Sequence, residues 1–171
     1  MDSFLSRRSF SALFAAGLAM DPTVTNGLPM PQSKPVLTIS GRISIRNDRD
    51  GARFDRPMLE ALGVRGFVTS TPWYRETKRF DGVPMSMLLR AVGASGDRIV
   101  ANALNDYTIE IPTSDFTQYD VLLALKRDGA YMPVRDKGPL FIVYPFDSAP
   151  ELQAQKYYCR SVWHLAQIIV Q

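Results

Sequence analysis

The chain has 171 residues, of which 46% are hydrophobic and 22% charged, with a formal net charge of +3 and one cysteine. This size and composition fit one globular domain around one core and exclude a second full domain. A domain of this length buries roughly two thirds of its unfolded surface, enough to stand without a disulfide framework. Basic and acidic residues interleave, as in Arg46, Asp48, Arg49, Asp50 and Arg53, so no positive stripe points to nucleic acid, while a small anionic ligand remains open.

At the amino terminus Ser6, Arg7, Arg8, Ser9 and Phe10 precede an apolar run from Ala12 to Met20, which Pro22 follows. The pattern is that of a twin-arginine export signal, the competing reading being an uncleaved amphipathic arm. The run is about half the ~20 residues that cross a bilayer, so the chain is expected to be exported to the periplasm without spanning the membrane. Residues 1–20 are then the signal, 21–35 a flexible spacer and 36–171 the domain. The twin-arginine route carries folded cargo, which points to a ligand acquired inside the cell.

From Leu37 to Ile45 apolar and polar residues alternate, predicting a half-buried strand with Gly41 at a bulge. A turn is expected at Asp50 and Gly51; the spacing of Asp48 and Asp50 resembles the start of a calcium loop, but no glutamate closes it. Asp55 is placed to cap a short helix through Leu62, with Pro57 in its first turn and Gly63 as its stop. A strand over 66–71 follows, then a turn at Asp81 and Gly82. Met85, Leu88, Leu89 and Val92 fall at helical spacing on one apolar face ended by Gly93.

The second half reads as strands over 99–104, 107–111, 121–125, 131–134 and 140–144, punctuated by Pro112, Asp128 with Gly129, and Pro145. A short helix is expected over 151–158 and a doubly covered strand over 161–170. Strands and short helices mix without regular alternation, so the fold class is α+β, a mixed, strand-rich single domain.

The single histidine, His164, sits in the last apolar run, which leaves histidine metal clusters and serine–histidine–aspartate catalysis without material and makes a structural hydrogen bond the plainer role. No glycine-rich phosphate loop is present. Cys159 lies beside Arg160, where a cation can activate a thiol; the other reading is an inert, half-buried one. Polar and aromatic residues gather at strand ends, where sites are usually built. Trp73 and Tyr107 can supply a flat wall for a bicyclic ring, Thr71, Asn105 and Asp106 its hydrogen-bonding edge, and Arg135 and Lys137 cations for an attached phosphate.

Several segments carry a resemblance. Phe80 to Pro84 leading into the Leu88 and Leu89 helix and Val92 to Ala94, the stretch from Ala103 to Pro112, Leu123 with Ala124, Gly129, the segment from Lys137 to Pro145, and Arg160 to Leu165 with Ile168 and Val170 resemble, in order and spacing, the sulfite-oxidase-type molybdopterin-binding domain. The resemblance runs from about Val36 to the end. It implies that fold, a bound pterin, and a site at adjacent strand ends, with Arg160 closing the same side.

Catalytic members of that family ligate molybdenum through a cysteine at the end of an early core strand. Here that strand reads Gly66, Phe67, Val68, Thr69, Ser70, Thr71, and a hydroxyl is a poor substitute for a soft thiolate. Phe141 stands where the family has an arginine after its glycine–proline–leucine segment, which puts a phosphorylated dinucleotide cofactor in doubt. The chain thus resembles small exported members without the cysteine, which implies a non-catalytic pterin sensor, with molybdenum not expected. Its implied partner is the periplasmic part of a membrane-bound signalling enzyme, such as one that makes or degrades cyclic di-GMP. A molybdenum-cofactor oxidoreductase and a ligand-free interaction module are the alternatives.

Overall fold

A computed structural model describes residues 27–171; the predicted signal and most of the spacer lie outside them. Two five-stranded sheets share one buried cluster, with short helices at the margins. The first sheet contains β1 (Leu37–Gly41), β2 (Ala52–Phe54), β5 (Arg98–Ala103), β6 (Thr108–Pro112) and β10 (Leu165–Val170), in the order β2-β1-β10-β5-β6. Within it β1 and β10 run parallel and the other pairs antiparallel. The second sheet has β3 (Arg65–Thr71), β4 (Tyr74–Pro84), β7 (Leu122–Arg127) and β8 (Ala130–Tyr131) in that order, with β9 (Phe141–Val143) also paired to β7. Four helices are α1 (Arg56–Ala61), α2 (Met85–Ala91), α3 (Asp115–Gln118) and α4 (Gln155–Arg160). The domain is α+β, and among the described residues no helix is long and apolar enough to cross a membrane.

Local chemistry places these elements. Met85, Leu88, Leu89 and Val92 all turn into the core, as their spacing predicts. Asp55 caps α1 by accepting from Met58 N at 3.0 Å, while its other oxygen accepts from Gln32 N at 2.8 Å, Ser33 N at 2.9 Å and Ser33 Oγ at 3.1 Å. One carboxylate therefore starts a helix and fastens the end of the predicted spacer to the domain.

The bond from Met58 N, joined by those from Ser33 and Gln32, outweighs burial and holds the Asp55 carboxyl below its ordinary value. A carboxyl lowered on folding stabilises above its unfolded pKa, about 3.9, and loses that contribution as pH falls through the folded value. Asp55→Asn is therefore expected to melt lower at neutral pH but to lose less of its melting temperature below about pH 4. Parallel melting curves for the two proteins across that range would show that Asp55 does not take part.

Several boundaries differ from the sequence reading. The predicted turn at Asp81 and Gly82 is continuous strand inside β4, with an irregularity in its pairing to β7 between those residues. Gly82 is there for closeness: a Cβ would lie 2.0 Å from Leu123 O. The first strand stops at Gly41, whose φ is +86°, and Ile43 instead bridges Ala94. The predicted helix over 151–158 divides into a 3-10 turn at Pro150–Gln153 and α4, and the last strand begins at Leu165 rather than 161. The strand expected over 131–134 is two residues of β8 followed by a 3-10 turn at Val134–Asp136.

Candidate ligand-binding cleft

Three connections meet at one end of the domain. The β3–β4 hairpin pairs Thr71 with Tyr74, leaving Pro72 and Trp73 at its tip. The β5–β6 hairpin pairs Asn102 with Thr108, and its loop turns back at Asp106, where φ is +64°. The link from α4 to β10 adds Trp163, which bridges Phe141 of β9. Between them lies a cleft of about 220 Å³ whose lining includes Trp73, Asn105, Tyr107, Tyr158, Cys159 and Trp163, with Gln155 and Ser161.

Its aromatic wall is held from behind. Trp73 packs edge-to-face on Phe141, Phe146, Tyr158 and Trp163, at centroid distances of 5.6, 6.0, 6.2 and 5.2 Å. Tyr107 donates its hydroxyl to Cys159 O at 2.8 Å, tying the β5–β6 hairpin to the end of α4. Burial pushes the Tyr107 phenol above its ordinary value, so it remains a donor at neutral pH. Ser161 Oγ is spent on Tyr157 O at 2.9 Å, whereas Gln155 Nε2 approaches Cys159 Sγ at 3.4 Å.

Of the residues predicted to form a site, Trp73, Asn105 and Tyr107 share this cleft. Thr71, at the end of β3, is buried and outside the lining, and among the described residues its Oγ1 has no hydrogen-bond partner. Asp106 is exposed on the hairpin turn beside Asn105. Arg135 is exposed on the 3-10 turn and lines no part of the cleft. Lys137 reaches Trp163 from outside the lining, its Nζ 5.1 Å from that ring and 5.1 Å from Tyr74. Arg160 does not close the cleft: its Nη1 is held by Asp115 Oδ2 at 2.9 Å, and Tyr144 donates to the same oxygen at 2.7 Å.

Sequence reasoning missed Gln155, Tyr158, Ser161 and Trp163. The one signal available was the pair of aromatics, Tyr158 and Trp163, flanking Cys159 and Arg160, the two residues of that segment to which the sequence reading gave a chemical role. His164 does take a structural role, with Nδ1 2.6 Å from Gly138 O.

Chemically, the cleft is small and largely aromatic. Among the described residues no charged side chain lines it, and the amides of Asn105 and Gln155 offer it both donors and acceptors. Its volume falls below the roughly 300–1,000 Å³ of pockets that enclose drug-sized ligands. The family described as oxidoreductase molybdopterin binding domain matches residues 52–149, so the match contains both hairpins and stops short of α4 and Trp163. No curated protein matches the chain.

Proposed function

The chain belongs to the oxidoreductase molybdopterin binding domain family, and we propose that it holds a free pterin ring in the Trp73–Tyr107–Trp163 cleft as a non-catalytic, exported sensor. The observation that carries this reading is the cleft itself: aromatic walls and neutral amides, sized for a bicyclic ring, with no cation in the lining. A pterin meets the aromatic faces through its ring and the Asn105 and Gln155 amides through its aminopyrimidinone edge. A phosphorylated dinucleotide fits less well, since Arg135 stands apart and Lys137 is already placed against Tyr74 and Trp163.

The resident metal of the family's catalytic members fits the early strand poorly. Its end carries Thr71, a hydroxyl with none of a thiolate's softness. Without redox chemistry, the ligand acts through its differential affinity for two states of a complex, and the partner proposed is a membrane-bound signalling enzyme. Export is read from Arg7 and Arg8. Replacing both by lysine is expected to leave the protein in the cytoplasm, and an unchanged periplasmic yield would remove that part of the reading.

One observation favours a second reading. Cys159 lines the same cleft, so a thiol is available to a metal from α4 rather than from β3. The two readings separate on protein purified from the periplasm, by elemental analysis and by mass spectrometry of the released small molecule. The sensor predicts a pterin without stoichiometric molybdenum. A near one-to-one metal content that disappears in Cys159→Ser would establish the oxidoreductase instead. Titration with a reduced pterin is expected to bind wild type and to weaken several-fold to tenfold in Asn105→Ala, which removes an exposed amide and leaves a ring donor unpaired. Equal affinities would place the site elsewhere.

A further inference from the structure

A second depression, of about 720 Å³, is lined in part by sequence neighbours of the residues that line the cleft. Leu104 lines this groove while its neighbour Asn105 lines the cleft, and Leu165 and Ala166 stand to the groove as Trp163 does to the cleft. Its apolar surface is unusually open for side chains of this kind: Leu104 is 56% exposed, Val134 57% and Tyr131 42%. Apolar side chains gathered in one open groove mark an interaction surface.

The charged side chains that line the groove, among the described residues, are the cations Lys34 and Arg56. The neighbouring Glu60 carboxylate is already held by Lys126 at 2.8 Å and by the Tyr131 hydroxyl at 2.7 Å. Arg56 stacks its guanidinium carbon 4.7 Å from the Tyr131 ring centre, and among the described residues its buried Nε has no hydrogen-bond partner. Buried donors are nearly always paired, and a carboxylate is the acceptor that a guanidinium fork best fits.

We propose that this groove docks an extended segment of a partner protein that carries apolar side chains and at least one carboxylate. The apolar residues cover Leu104, Tyr131 and Val134, and the carboxylate meets Arg56. Because Leu104 N donates to His164 O at 2.8 Å, a segment pressing on Leu104 acts on a turn that is tied to the α4–β10 link and continues into Asn105. Docking and cleft occupancy are thereby coupled; that coupling, though not the docking, rests on the sensor reading above.

A random twelve-residue peptide library displayed on phage and panned against the purified protein, without added pterin, tests this. Enriched peptides are expected to combine apolar residues with aspartate or glutamate. Synthesised and followed by fluorescence anisotropy, they are expected to bind at least tenfold more weakly to Arg56→Glu and to Val134→Asp. Val134 is exposed and Arg56 half-buried, so the fold of both variants is checked by circular dichroism. No enrichment, basic peptides, or equal affinity for both folded variants would overturn the proposal. So would self-association of the wild type that Val134→Asp abolishes, or loss in both variants of binding to phosphatidylglycerol vesicles without any selected peptide. Since no pterin is added and the peptide readout does not depend on one, a failure of the sensor reading leaves the peptide result standing. With docking established, an unchanged peptide affinity on adding a reduced pterin would remove the coupling alone.

Discussion

Trp73→Ala is expected to lower both stability and ligand affinity, the first by about 3 kcal/mol and the second by tenfold or more. A tryptophan at the tip of a hairpin reads from sequence as a loop residue whose loss leaves the fold untouched. Here its ring contacts Phe141, Phe146, Tyr158 and Trp163, two of them fully buried. Truncating a buried aromatic costs about 3–5 kcal/mol, and one face of Trp73 is open to the cleft, which argues for the lower end. For a domain of this size that is a fall of roughly 6–12 °C in melting temperature. The affinity loss adds the missing stacking face to the collapse of the wall behind it, at 1.4 kcal/mol for each factor of ten. Trp73→Phe is expected to recover more than half of the stability. A drop below about 2 °C in Trp73→Ala would mean that the aromatic cluster contributes nothing to the domain, and unchanged pterin affinity would remove Trp73 from the site.

The sequence was legible where one local signal decides the structure. Helix α1 was readable because Asp55, Pro57 and Gly63 each act within a turn of one of its ends, and α2 because its apolar spacing needs no partner to be recognised. Gly82 misled because glycine has two uses. Beside an aspartate it resembles a turn, whereas here it admits the backbone of β7, a contact with Leu123 far along the chain that no local pattern encodes. The candidate site divides in the same way. Trp73, Asn105 and Tyr107 were visible as polar and aromatic residues at strand ends. Tyr158 and Trp163 were hidden because an aromatic in an apolar segment looks like core until the connection from α4 to β10 is seen to bend around the cleft. Arg160 was placed at the site by the family resemblance, and the acidic group that claims it sits 45 residues earlier in a four-residue helix without a period of its own.

That acidic group is the centre of the last expectation. Asp115 is 5% exposed and accepts through one oxygen from both Tyr144 and Arg160, so it joins α3, the end of β9 and the end of α4. Tyr144 is fully buried, and burial together with this bond drives its phenol far above the ordinary range, leaving it a permanent donor that needs an acceptor. Asp115→Ala strands that hydroxyl and a guanidinium whose side chain is only 23% exposed. Removing one partner of a buried pair costs about 3–5 kcal/mol, because the other remains desolvated and uncompensated. The variant is therefore expected to melt roughly 6–20 °C lower. Asp115→Asn keeps an acceptor for Tyr144 and is expected to lose less. In the double variant with Arg160→Met the guanidinium is gone, so the combined cost should fall short of the sum of the single costs by about 1 kcal/mol or more. The effect should also reach the cleft, because Arg160 ends the helix that presents Tyr158 and Cys159 to it. Weaker pterin binding in Arg160→Met, with Arg160 itself outside the lining, would mark Arg160 as a positioning residue. Additive costs and unchanged affinity would show instead that Asp115 and Arg160 act independently and that α4 keeps its place without them.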